Sequence, residues 1–142
     1  MRKTTITAAI TAALSATVAS ASPGTERWSA TSSTAMAITG DISLSPTRLV
    51  MAGGRVLPLT VDSDTKRFTT PTGNQAARLL RVTRPANPTL RNGNRLCGAP
   101  VRWIAVYRSN QGRDLNLAAF SGTARPTGEA GTGLCGTFLY SR

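Results

Sequence analysis

From Met36 onward, apolar and polar residues alternate in short runs broken by turn signals. In "GDISLS", Ile42 and Leu44 fall on one side and Ser43 and Ser45 on the other. That period of two marks a half-buried strand. "TRLVM" and "RVLPLTV" flank Ala52-Gly53-Gly54, which predicts a hairpin turning on those three residues. Leu57, Leu59 and Val61 share a face, and Pro58 points away from it. A proline donates nothing to a ladder, so this strand is expected at a sheet edge or a bulge.

"VRWIAVYRS" gives the clearest strand. Val101, Trp103, Ala105 and Tyr107 line one face, Ile104 and Val106 the other. Apolar side chains on both faces predict a central strand covered on both sides. "DLNLAAF" aligns Leu115, Leu117 and Ala119, and "LCGTFLYS" reads as the last strand. Between these lie polar stretches: "VDSDTK", "KRFTTPTGNQ" and "TRPANPTLRNGN" read as loops, the last with a tight Asn92-Gly93 turn. "AARLLRV" fits a strand or one helical turn. Seven or eight short strands and no amphipathic helix predict an all-β domain over 36–142, either a small antiparallel β-barrel or a β-sandwich.

The start of the chain follows another pattern. Arg2 and Lys3 precede an uncharged, mildly apolar stretch from Ile6 to Val18, followed by Ala19-Ser20-Ala21. A charged start, a short apolar run and a small-x-small site predict a signal peptide over 1–21. The run is too short, and too rich in Thr and Ser, to cross ~30 Å of hydrocarbon, and no integral membrane span is expected. Residues 22–35 are small and polar and read as a flexible lead, with Trp28 the one residue expected to dock. The expected location is periplasmic or secreted.

Export changes the meaning of the two cysteines. Cys97 and Cys135 are the only pair in the chain, and an oxidising compartment favours joining them. A loop of that span stabilises a fold by about 4 kcal/mol in the chain-entropy model. With only seven aromatics to fill the core, the disulfide is expected to carry much of the stability. The chain has no histidine and no C-x-x-C. Zinc coordination and thioredoxin-like redox chemistry therefore lack their ligands and motif.

The same missing base weakens the case for catalysis. A Ser–Lys dyad after processing rests on Lys66 alone. Asp62 and Asp64 lie at i and i+2 in a Ser/Thr-rich stretch and read as a solvated turn rather than a glycosidase pair. Asp41, after Gly40, is expected to fix a turn by accepting from backbone amides. No catalytic, metal or cofactor residue is assigned, and no cofactor is expected.

Charge supplies the one positive candidate. Of 17 Lys+Arg, 15 are Arg; once residues 1–21 are removed, 15 basic residues face 6 acids, a balance of +9. Arg78, Arg81, Arg84, Arg91 and Arg95 fall within 18 residues with no acid among them, and Arg102 and Arg108 flank the strand that follows. Guanidinium groups so spaced suit phosphate, sulfate or carboxylate, so these five form a candidate anion-binding face. The simpler explanation is an Arg-rich composition on a solvated surface. A nucleic-acid partner is not expected, because only Trp103 and Tyr107 lie nearby as stacking platforms.

The strings "AITGDISLSPTRL", "NGNRLCG" and "CGTFLYSR" resemble those of small exported bacterial proteins of uncharacterised activity. The resemblance covers most of the mature chain and brings no functional residue with it. The hairpin "LSPTRLVMAGGRVLPL" is similar to those of the small β-barrels of bacterial protease and lysozyme inhibitors, a likeness of the strand–turn–strand kind. The resulting expectation is an exported, non-enzymatic β domain that binds a partner, an unknown protein or an anionic envelope polymer, with inhibition as one form that binding could take. The alternatives are a basic module for anionic envelope polymers and a hydrolase working without a histidine.

Overall fold

The computed structural model describes residues 24–142; the signal-peptide reading of 1–21 lies outside them. Eight strands run antiparallel, each to the next: β1 (Glu26–Ala30), β2 (Ile42–Ser45), β3 (Arg48–Met51), β4 (Arg55–Thr70), β5 (Gly73–Ala86), β6 (Val101–Ser109), β7 (Asp114–Phe120) and β8 (Leu134–Ser141). β8 returns to β1 and closes a barrel. Of the two expected architectures, the barrel is the one formed.

β1 makes the closure, pairing with β2 from Glu26↔Leu44 to Trp28↔Ile42 and with β8 at Ser29↔Ser141 and Ala30↔Tyr140. This corrects the flexible-lead reading of 22–35 over its described residues. Trp28 is buried among Ile42, Leu44 and the rest of the interior, and its neighbours are held by backbone bonds on both sides. Asp41 fixes the backbone not within its own turn but across to β1, its Oδ1 accepting from the Ala30 amide at 2.9 Å.

Two other loop readings are corrected. Residues 61–70 belong to β4, and 73–75 and 83–86 belong to β5, the two strands turning at Pro71–Thr72; of the two readings of 76–82, the strand is the one formed. The polar stretch stays in strand form because its side chains find cross-strand partners, as in Asp64↔Arg78. Register shifts at Val61/Ser63 and Thr65/Phe68 break the period-two pattern that reveals a strand. Pro58 is not at a sheet edge, since a closed barrel has none. It sits where the β3 ladder ends, opposite Arg48.

Most apolar side chains point inward. A second, smaller cluster lies outside the wall: Phe68, Ala77 and Leu79 against Trp103, Ala105, Ala118 and Phe120. β6 is therefore covered on both faces, as its sequence predicts. The outer cover is the tip of the β4–β5 hairpin together with the loop 121–133. Thr69 N donates to Thr127 O at 3.1 Å, and Glu129 N donates to Thr69 O at 2.8 Å. The two backbones approach so closely at Gly128 that a Cβ there would lie 2.7 Å from Thr69 O. Trp103 Nε1 donates to Thr123 O at 3.3 Å, and Phe68 packs edge-on against Phe120 with ring centres 6.5 Å apart.

One end of the barrel is filled by the segment 31–41 and the loop 87–100. A single π-type turn closes when the Gly40 amide donates to Ala35 O at 2.8 Å. Inside it, the buried Thr39 hydroxyl meets Tyr140 OH at 2.7 Å. Asn92 and Asn94 each donate to Ala37 O at 3.2 Å, joining the two plugging segments. The Asn92-Gly93 turn has the left-handed backbone its sequence implies, with φ of 55° and 71°. Cys97 and Cys135 are joined and tie the 87–100 loop to β8.

Candidate functional site

The other end of the barrel is open. There the strands of the meander begin or end at Glu26, Ser45, Ser109 and Asp114, while β4 and β5 run on past the rim. The unequal lengths leave a cavity of about 730 Å³ between the β2–β3 turn and the long hairpin. Its floor is apolar: Leu44, Leu80, Val106 and Leu115 come from four different strands and cap the interior core. Its rim is charged, with Glu26, Asp64, Lys66, Arg78 and Arg108.

The rim charges are arranged in pairs. Arg78 grips Asp64 through two nitrogens, Nε to Oδ1 at 2.8 Å and Nη2 to Oδ2 at 3.2 Å. This hydrogen bond holds the Asp64 carboxyl below its usual range and raises Arg78 in turn. Arg108 donates from Nη2 to both carboxylate oxygens of Glu26 at 2.6 Å. Arg142 reaches the same carboxylate at 3.5 Å. The guanidinium groups of Arg108 and Arg142 lie 5.2 and 4.6 Å from the Trp28 ring centre, so the indole holds both in place. Lys66 lies on the rim with no carboxylate within 4 Å among the described residues. Counting Arg142 beside the mouth, four cations face two carboxylates.

The five arginines singled out in the sequence do not share this site. Arg78 is at the mouth. Arg81 lies on the outer wall, its guanidinium 5.1 Å above the Trp103 ring. Arg84 is exposed further along β5, away from the mouth. Arg91 packs beside Gly40, and Arg95 Nη1 donates to Asn87 O at 3.5 Å, both at the plugged end. Tightly spaced in sequence, they are dispersed because a strand alternates faces and then leaves the sheet.

Asp62 and Asp64 diverge as well. Asp62 accepts from Ser63 Oγ at 2.9 Å and pairs with Arg125 on the 121–133 loop at 2.9 Å. The Ser63 bond and the arginine hold its carboxyl low. On the outer face, Tyr107 donates its hydroxyl to Glu129 at 2.7 Å, and desolvation with that bond pushes the phenol above its ordinary range. Among the described residues, no three His, Cys, Asp or Glu side chains gather in one place, and no helix is long and apolar enough to cross a membrane.

Reading the sequence for charge density found Arg78 but missed Glu26, Trp28, Lys66 as a rim residue, and the floor. The available signal was parity at strand ends: Arg108 continues the inward series Ile104 and Val106, and Glu26 shares a face with Trp28. The fold and site define the chain as an up-and-down β-barrel plugged at one end and open, with a charged rim, at the other. Comparison of the chain with protein-family models, curated proteins and solved structures finds no match.

Proposed function

We propose that this is an exported, non-enzymatic binding protein and that the open barrel end is its binding site. The observation that carries the reading is the cavity itself: an apolar floor assembled from four strands beneath a ring of charge. Binding sites combine a mostly apolar concavity with a few placed polar groups, and the volume falls within their usual range of roughly 300–1,000 Å³. The disulfide suits an oxidising compartment and so supports a periplasmic or secreted location.

Binding without turnover is favoured by the state of the acids. A carboxyl that serves as general acid is raised by an apolar site, whereas Asp62 is held low by Ser63 and Arg125 and Asp64 by Arg78. They lie on different sides of the hairpin, with no shared space for a scissile bond.

The test is native mass spectrometry of the processed protein recovered from the exporting cell, alongside an Ala76→Trp variant. Ala76 is exposed on the cavity wall, so the indole fills the mouth without entering the core. A bound species present in the native protein and lost in the variant is expected. Turnover of an ester, peptide or glycan substrate that disappears on changing Lys66, Asp62 or Asp64 would establish the hydrolase reading instead.

A further inference from the structure

We infer that the occupant of the mouth is a single-chain anionic amphiphile, its chain on the floor and its head group against the rim cations. This rests on the reading of the mouth as the binding site and adds the ligand's chemistry to it. The floor residues Leu44, Leu80, Val106 and Leu115, each less than a tenth exposed, present the top of the core to a chain and no polar partner. A polymer or a strongly hydrated sugar would leave that floor unused.

The sign of the head group follows from the rim. Lys66 Nζ makes no hydrogen bond or ion pair with any described residue, and it stands at the cavity wall beside Asp64 in sequence. Arg108 uses Nη2 alone on Glu26, and Arg78 uses Nε and Nη2 on Asp64. The remaining guanidinium nitrogens donate to no described residue. Arg108 is also oriented in advance by stacking on Trp28, so less freedom is lost when it takes a second acceptor. The two carboxylates present are already engaged, and Asp64 is two-thirds exposed, so its hold on Arg78 is easily shared. A cationic head meets surplus positive charge here, and a neutral head leaves Lys66 unanswered.

The experiment is calorimetric titration of the processed protein with laurate below its micelle concentration. Dodecyltrimethylammonium and dodecanol serve as probes of equal chain length, and acetate as the head alone. Laurate is expected to bind one-to-one, the cation and acetate not at all, and dodecanol more weakly. Lys66→Gln and Arg78→Gln are each expected to weaken laurate about fivefold, as for loss of one exposed ion pair. Both side chains are exposed, so both variants are expected to melt as the native protein does. Ala76→Trp should abolish binding. Failure of laurate to bind, equal binding of the cationic probe, or laurate binding unchanged in Ala76→Trp overturns the inference. If laurate fails while the species carried from the cell still depends on Ala76, the ligand class is wrong and the mouth stands. If neither depends on Ala76, both readings fall.

Discussion

Arg108 Nη2 lies 2.6 Å from each carboxylate oxygen of Glu26, a residue 82 positions earlier in the chain. The contact ties the first strand to the sixth across the open end, over the Trp28 ring. Both side chains remain partly exposed, which caps the stability it brings at about 1 kcal/mol. A double-mutant cycle with Glu26→Gln and Arg108→Gln should return a coupling energy of that order in chemical denaturation. Glu26→Gln alone should also tighten laurate binding, because it releases Arg108 and Arg142 to the ligand. Weaker laurate binding in that variant would mean that the carboxylate helps to build the site rather than competing for it.

Much of the wall is legible in sequence, and the reasons are local. Gly53-Gly54 and Asn92-Gly93 mark turns because few other residues take their left-handed backbone. β6 declares both of its apolar faces, and the cysteines declare their pairing by being alone. β1 is hidden, because one large apolar residue in five gives no period. Residues 62–66 are hidden because register shifts scramble the alternation. The mouth is hidden for a further reason. Its residues come from strands distant in sequence and meet only when the barrel closes, whereas the arginines that crowd the sequence are scattered by the same closure.

The outer cluster makes its own prediction. Phe68 is fully buried between the hairpin tip and the β6–β7 wall. Phe68→Ala should cost about 3–5 kcal/mol, the usual range for emptying a buried aromatic site. Amide exchange at Thr69 and Glu129 should speed up beyond the rest of the molecule, since the bonds they donate, to Thr127 O and Thr69 O, depend on the tip staying docked. Unchanged exchange at those two amides would show that the 121–133 loop holds the tip without Phe68.

Replacing Cys97 and Cys135 together by Ala should lower unfolding free energy by about 4 kcal/mol, from the 38-residue separation they span. The barrel end plugged by 87–100 should loosen first, because that loop loses its tie to β8. Equal denaturation midpoints for the native and double-variant proteins would contradict this.

The chain has two tyrosines, and burial pushes the hydroxyl of each above the ordinary tyrosine range. Tyr107 is further raised by Glu129, while the Thr39 bond partly opposes the effect at Tyr140. Stability from a raised group is complete below its unfolded pKa, about 10 for tyrosine, and is lost as pH rises beyond it. Asp62 and Asp64 are lowered, so their contribution is complete above about 4 and is lost as pH falls. The stability plateau should therefore lie between about pH 4 and 10. Tyrosinate absorbance in the native protein should stay flat through pH 10 and appear only with unfolding. A native tyrosine titrating at its ordinary value would place one of the two in water.

The most direct test of the open barrel end uses a photoreactive lysine analogue at position 66, which keeps the rim charge, and the same analogue at position 84 on the outer part of β5. Both proteins are irradiated in the cell that makes them and their covalent adducts identified by mass. An adduct formed at position 66, absent at 84 and lost when Ala76→Trp is added, is the expected result. An adduct at 84 with none at 66, or one at 66 that survives Ala76→Trp, contradicts binding at the mouth.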